Sequence, residues 1–239
     1  TAEAIDLATH AEKAGADAVL VVTPYYSRPP QSGLIAHFTT VADATELPVM
    51  LYDIPPRSDS RIELETLQKL SEHPRIVAVK DARNDLRVGT EVLATTTLAY
   101  YSGDDPVNLP WLSVGAVGFV SVIGHVVADR LRAMLHAYEA GEHDRARALH
   151  YATLPVIRAM GRVGGVVFAK TALKLRGIDV GDPRLPLPPA TDEQVSAIVV
   201  DLTAAGIALD PESVGEQTHR GYGALGARAA VDLRAEGAY

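Results

Sequence analysis

Short apolar runs alternate along this chain with longer stretches in which apolar residues recur every three or four positions. The runs at residues 18–23, 49–52, 76–80, 98–102 and 117–123 are bounded by Pro, Gly and Asp, and they read as strands buried on both faces. Helical periodicity fills the intervals at 31–44, 64–72, 86–94 and 106–114. Ahead of the first strand, Thr1 is positioned to cap a helix with Glu3 in its first turn and Ile5, Ala8, Ala11 and Ala14 on one face, ending at Gly15. Beyond the last strand, further helices are predicted at 126–140, 144–160, 166–176 and 193–205.

Strand and helix in strict alternation predict an α/β fold with a parallel sheet. No glycine-rich dinucleotide fingerprint follows any strand, which favours a TIM (β/α)8 barrel over a doubly wound nucleotide-binding sheet. Polar residues agree with that choice. Tyr25, Tyr26, Tyr52, Lys80, Ser102, Asp104 and Ser121 all fall at the carboxyl ends of different strands, the rim on which barrel enzymes carry their chemistry. Five strands do not close an eight-stranded barrel, because two sheet edges stay unpaired. At about 30 residues per βα unit, roughly 80 to 90 residues are expected upstream of Thr1. The expected organisation is a partial barrel over 1–124, then the last barrel helix and a C-terminal helical appendix over 125–209. An Ala, Gly and Arg mixture without a sustained apolar face follows, and 210–239 reads as a disordered or weakly helical tail.

Composition narrows the chemistry. With 47% hydrophobic residues, 239 residues can bury a large core. The net charge of −8 argues against nucleic acid or an acidic membrane as partner. Cysteine is absent, which removes disulfides, thiolate metal sites and a thiol nucleophile, and makes a reducing cytoplasm the simplest setting. No apolar run reaches the ~18 residues of a membrane span, and the first residues lack the basic and apolar segments of a signal peptide. Small-molecule chemistry is the remaining class.

Lys80 is the sharpest candidate within it. It closes the run Ile76-Val77-Ala78-Val79, where a buried strand gives way to a loop. An ammonium there loses hydration, its pKa falls, and the neutral amine becomes a nucleophile toward a carbonyl carbon. Lys13 and Lys69 sit in polar helical stretches, and Lys170 and Lys174 share a helical face. Tyr52 through Arg57 adds a phenol at a strand end, a proline-stiffened loop and a guanidinium suited to a carboxylate. Blander readings stand beside these: Lys80 paired with Asp81 or Asp104, Arg57 paired with Asp53 or Asp59, Tyr25 as an interface aromatic, and Tyr100 and Tyr101 as strand packing. His136, His143 and His150 recur every seven residues, but Gly141 interrupts their helix, so a solvated surface is expected. Residues 164–171 approach a phosphate loop but have bulky side chains where glycines are needed, and read as helix packing. Asp104 and Asp105 are expected to cap the helix that follows them.

Taken together, Pro24-Tyr25-Tyr26, Tyr52-Asp53-Ile54-Pro55-Pro56-Arg57, Val79-Lys80-Asp81-Ala82, Ser102-Gly103-Asp104-Asp105 and Gly118-Phe119-Val120-Ser121-Val122 resemble the dihydrodipicolinate synthase family, within the pyruvate-dependent Schiff-base lyases. The resemblance runs in order from Thr1 to about Leu209. It implies that Lys80 forms a Schiff base with pyruvate, that the enamine attacks aspartate semialdehyde, and that transimination frees the cyclic product on the diaminopimelate route to lysine. By position it makes Tyr52 the proton donor and acceptor, Tyr26 a relay residue lent to a neighbouring subunit, and Arg57 the ligand of the semialdehyde carboxylate. It also gives Val120 a backbone contact to pyruvate and Gly103 a contact to substrate. It implies a homotetramer built from tight dimers, and neither a metal nor an organic cofactor. The family's Thr-Thr-Gly-Glu loop has no counterpart in this sequence, Asp53 stands where asparagine is common, and residues 210–239 match nothing in the family pattern. Two other readings are another pyruvate-type lyase, such as an N-acetylneuraminate or keto-sugar-acid aldolase, and an inactive barrel fragment.

Overall fold

The computed structural model describes residues 1–219, and the chain divides into two compact units, Thr1–Ser121 and Val122 onward. The first unit runs α1 (Ala2–Lys13), β1 (Val19–Val22), α2 (Gln31–Asp43), β2 (Val49–Asp53), α3 (Pro55–Ser58), α4 (Leu64–Ser71), β3 (Ile76–Asp81), α5 (Leu86–Thr95) and β4 (Ala99–Ser102). A 3-10 turn (Asp105–Val107), α6 (Asn108–Ser113) and β5 (Gly118–Phe119) complete it. The five strands form one parallel sheet in the order β1-β2-β3-β4-β5.

Register explains how this sheet divides its labour. Val21, Leu51, Val79 and Tyr100 lie side by side across four strands. All are buried, in one core with Leu34, Phe38 and Val41 of α2, Leu67 and Leu70 of α4, Val88 and Val92 of α5, and Trp111 of α6. The next row, Val22, Tyr52, Lys80, Tyr101 and Gly118, points to the opposite face because side chains alternate along a strand. Helices do not cover that face at β1, where Leu20 is 46% exposed. One residue further, Asp53, Asp81, Ser102 and Phe119 fall into register and turn back toward the helices. The β2–β3 pairing carries one irregularity: Val49 faces Ile76 and Met50 faces Ala78, so Val77 is surplus and half exposed.

Close packing of the aromatic pair behind β4 depends on one glycine. Tyr100 and Trp111 stack with ring centroids 4.8 Å apart, and a Cβ on Gly89 would lie 2.3 Å from the Trp111 ring. Glycine at this position of α5 lets the indole approach the helix backbone, at the usual cost of helix propensity.

The second unit is helical: α7 (Gly124–Glu139), α8 (His143–Val163), α9 (Gly165–Lys174), α10 (Asp192–Ala204) and α11 (Pro211–His219). Leu131, Met134, Val156, Phe168, Leu175, Ile198 and Leu202 are buried within it. Asp201 of α10 is buried and accepts hydrogen bonds from Arg158 Nε at 2.7 Å and Arg162 Nε at 2.6 Å, which ties α10 to α8. Those two charge-assisted bonds offset the burial of the carboxylate and hold its pKa below the usual range. A reciprocal capping box between Thr191 and Gln194 opens α10. Among the described residues no single helix is long and apolar enough to cross a membrane.

Several local expectations change. The last strand is only Gly118–Phe119, because after Val120 donates its N–H to Ser102 O at 2.8 Å the chain stops pairing and enters α7 at Gly124. Thr1 precedes α1 without a side-chain cap, since its hydroxyl bonds His37 Nδ1 at 2.9 Å instead. The segment Pro55–Ser58, read as a stiff loop, forms a single helical turn with proline at its start, where the missing N–H has no helical partner to lose. Residues 211–219 are helical, and the rest of the stretch read as a tail, 220–239, lies outside the described residues.

Candidate active site

Lys80 and Tyr52 are register partners on adjacent strands and meet on the same face of the sheet. Lys80 Nζ sits 4.0 Å from the centroid of the Tyr52 ring, and the lysine is only 8% exposed. Burial lowers the Lys80 pKa from its ordinary value, with the Asp105 charge opposing that shift. Burial raises the Tyr52 pKa, the Asp104 charge raises it further, and Arg57 pulls it down. Both shifts favour the uncharged forms, a free amine beside a phenol that keeps its proton.

Neither of the acids weighed as an ion-pair partner for Lys80 takes that role. Asp81, its neighbour in sequence, points to the helix side, where Oδ2 accepts from the Tyr100 hydroxyl at 2.7 Å and Oδ1 accepts the N–H groups of Arg83 and Asn84 at 3.0 Å each. Asp104 accepts from Asn84 Nδ2 at 2.6 Å. Nor does Asp104 cap the turn after it, since no side-chain cap bond forms there. Asp105 is buried and accepts from Asn108 Nδ2 at 3.0 Å and from the Ser121 hydroxyl.

Gly103 lies directly against the lysine. Its N–H donates to Asp81 O at 2.6 Å, and a Cβ there would fall 2.8 Å from that oxygen and 2.9 Å from Lys80 Cγ. Any side chain at this position would displace the lysine stem. Val120 follows β5 and is held by its N–H bond to Ser102, next along the rim. Arg57 sits on α3, exposed, and influences Tyr52 through its charge. The two aspartates considered for it are committed elsewhere: Asp59 pairs with Arg28, and Asp53 lies 3.6 Å from Arg83 Nη1.

Tyr26 is not brought to Lys80. It is 95% exposed on the β1–α2 loop, in a left-handed backbone conformation with φ of 69°. Among the described residues no cluster of three His, Cys, Asp or Glu side chains is arranged to hold a metal. His150 differs from the solvated surface expected of it, because its Nδ1 is buried without a hydrogen-bond partner and burial lowers its pKa. The near phosphate loop belongs to α9 and its start.

Sequence reading passed over Arg83, and it named Asp53, Asp81 and Tyr100 without joining them behind the site. Strand parity was the available signal. A carboxylate one residue after an open-face Lys or Tyr must point into the helix layer, where it needs partners.

A desolvated amine at a strand end, facing a phenol across one strand spacing, has the chemistry to capture a carbonyl compound as an imine. The chain belongs to the dihydrodipicolinate synthetase family, whose model matches residues 1–205. It is 56% identical over 207 residues to the 4-hydroxy-tetrahydrodipicolinate synthase of Mycolicibacterium paratuberculosis, covering 87% of this chain and 69% of that protein. The Corynebacterium jeikeium protein of the same name is 52% identical over the same coverage. Among solved structures, a dihydrodipicolinate synthase of Bacillus anthracis superposes with a TM-score of 0.81 at 42% identity, over 83% of this chain and 69% of that one. The chloride-inhibited Acinetobacter baumannii enzyme complexed with pyruvate gives 0.82 at 32% identity, over 85% and 71%.

Proposed function

We propose that Lys80 is the imine-forming nucleophile of this chain and Tyr52 its proton relay. The chain is a lyase of lysine biosynthesis, condensing pyruvate with aspartate semialdehyde to 4-hydroxy-tetrahydrodipicolinate on the diaminopimelate route. Lys80 Nζ attacks the keto carbon of pyruvate, and loss of one water leaves the imine. A proton leaves the pyruvate methyl to give the enamine, whose carbon attacks the aldehyde carbon while the aldehyde oxygen takes up a proton. The amino group of the semialdehyde then attacks the imine carbon, closing the ring and releasing the Lys80 amine. Tyr52, beside Nζ, is the group positioned to carry these protons.

The observation that carries this reading is the contact of Lys80 with Tyr52 in a part-buried position at the strand ends. The sheet is then one arc of a (β/α)8 barrel, and the row Val22, Tyr52, Lys80, Tyr101 and Gly118 faces its interior. Arg57 binds the semialdehyde carboxylate, a role supported by its reach to Tyr52 and by Asp53 and Asp59 being engaged with other arginines. Val120 meets pyruvate through its backbone, and Gly103 leaves room for substrate beside the lysine stem. Tyr26 completes the proton relay in the site of a neighbouring copy, within a homotetramer of tight dimers; its exposure and outward turn favour such an intersubunit contact.

Borohydride reduction in the presence of pyruvate, followed by peptide mass analysis, tests the assignment. A reduced pyruvate adduct is expected on Lys80 and is lost in Lys80→Ala. An adduct on a different lysine, or one that persists in the variant, would remove Lys80 from the mechanism.

A further inference from the structure

The lysine that faces Tyr52 across β2 faces a second tyrosine across β4. Lys80 pairs with Tyr101 in the register of β3 and β4, and Tyr101 pairs in turn with Gly118 of β5. Tyr52, Lys80, Tyr101 and Gly118 therefore stand in one row on the open face of the sheet. Tyr100, the residue before, serves the buried core on the helix side, and Tyr101 stands outside that core, half-buried.

Two glycines shape what lies around this ring. Gly103 follows Tyr101 by two residues, and the Lys80 stem occupies the room its missing side chain leaves: Lys80 Cγ and Cε lie 2.9 and 3.0 Å from where a Gly103 Cβ would be. The lysine thus leans toward β4 one pleat beyond Tyr101. Gly118 does for the tyrosine what Gly103 does for the lysine. A Cβ there would lie 3.3 Å from Tyr101 Cε1 and 3.4 Å from Cδ1, so the ring lies across β5 in the space where any other residue would project. Two residues past Gly118, Val120 is fixed by its N–H to Ser102 O at 2.8 Å. The ring consequently runs from the root of Lys80 to β5, one pleat closer to the amino ends of the strands than the gap between the lysine stem and Val120. Tyr100 donates its hydroxyl to Asp81, whereas the Tyr101 hydroxyl has no hydrogen-bond partner among the described residues. Packing sets the position of this ring.

We propose that Tyr101, seated on Gly118, is a specificity-determining residue whose ring floors the substrate space between Lys80 and β5 and limits the length of the 2-oxo acid captured there. The inference rests on the reading of Lys80 as the nucleophile and adds to it the selection of pyruvate over longer 2-oxo acids. The keto carbon of pyruvate carries a carboxylate and a methyl. The charged group keeps to the polar rim, because turning it toward an aromatic floor would strip its hydration without a partner. The methyl is then the group that meets the ring. 2-Oxobutyrate carries one more methylene at that place, and it has to lift the ring or tilt the imine away from Tyr52. Rejection of one methylene by a packed pocket is worth about 10- to 200-fold.

The test is a competition on the full chain. An equimolar mixture of pyruvate and 2-oxobutyrate is offered under cyanoborohydride, and the two Lys80 adducts, which differ by one methylene in mass, are counted. The unaltered chain is expected to favour the pyruvate adduct by at least about 10-fold. Tyr101→Ala removes the floor and brings the ratio close to one. Tyr101→Phe keeps the ring and loses only an unpartnered hydroxyl, so it keeps the ratio of the unaltered chain. Gly118→Ala lifts the ring by a few tenths of an ångström into the substrate space and raises the ratio further.

A merely structural role for Tyr101 lowers both adducts in proportion, so an unchanged ratio in a cooperatively melting Tyr101→Ala chain overturns the floor. A ratio that moves as far in Tyr101→Phe as in Tyr101→Ala overturns it as well, since the hydroxyl and not the ring would then select. Should Tyr101→Ala fail to fold, Gly118→Ala decides: a raised ratio supports the floor, and an unchanged or lowered one overturns it. Absence of any Lys80 adduct in the unaltered chain overturns both the floor and the site reading, whereas Lys80 adducts in the same ratio in every variant overturn the floor alone.

Discussion

The chain leaves β3 and β1 in opposite manners. After Lys80, the Asp81 carboxylate takes two backbone N–H groups of the turn, its carbonyl takes the Gly103 N–H, and its second oxygen takes the Tyr100 hydroxyl. After β1, Thr23 still bonds Ser58 at 2.7 Å, but Tyr25 and Tyr26 then emerge into solvent and two residues, Tyr26 and Arg28, take left-handed backbone conformations. Such conformations cost about 1–2 kcal/mol each for non-glycine residues. Buried hydrogen bonds fix the strand end that carries Lys80. A strained turn leaves Tyr26 in solvent.

Alterations at the two loops separate these roles. Gly103→Ala presses directly on the lysine stem and should slow imine trapping on the order of 10²-fold, since small misplacements of a reacting group are this costly; an unaltered trapping rate would mean that the stem yields freely. Tyr100→Phe removes the hydrogen bond to a buried Asp81 oxygen and should cost roughly 1–3 kcal/mol in urea unfolding, the penalty for leaving a buried acceptor unsatisfied. No loss there would imply that water or a rearranged Arg83 replaces the phenol. The smallest effect belongs to the outward loop. Tyr26→Ala should shift folding stability by no more than about 0.5 kcal/mol, as for most exposed sites, while condensation turnover falls. A large loss of stability would mark Tyr26 as packed within its own chain and break the contrast.

Much of this architecture was legible in the residue pattern, and the exceptions have physical causes. The strands ending at Tyr52 and Lys80 announced themselves because both faces of each are apolar until the rim, and the helices between them kept their periodicity. Residues 117–123 carried the same apolar signal yet paired only at Gly118 and Phe119, since hydrophobicity reports burial and not extension. Lys80 and Tyr52 were readable as a pair from strand-end position and chemistry, and the structure puts them in contact. Asp81 misled as a partner for Lys80 because adjacency in sequence suggests adjacency in space, whereas consecutive residues of a strand face apart. Arg83 was hidden for a different reason. An arginine in a loop reads as solvent-exposed, and only the two buried aspartates behind the sheet give it cause to be inside.

The surplus residue Val77 bears on which changes of length β3 can absorb. Downstream of it, each position from Ala78 to Lys80 has one fixed partner on β2. A change of length that the surplus residue does not take up would turn the Lys80 amine into the helix layer and bring Asp81 to the open face. Deleting Val77 itself only removes the irregularity and leaves Lys80 opposite Tyr52. The strand thus has one residue of slack upstream of Lys80, which a single lost codon can consume without moving the amine.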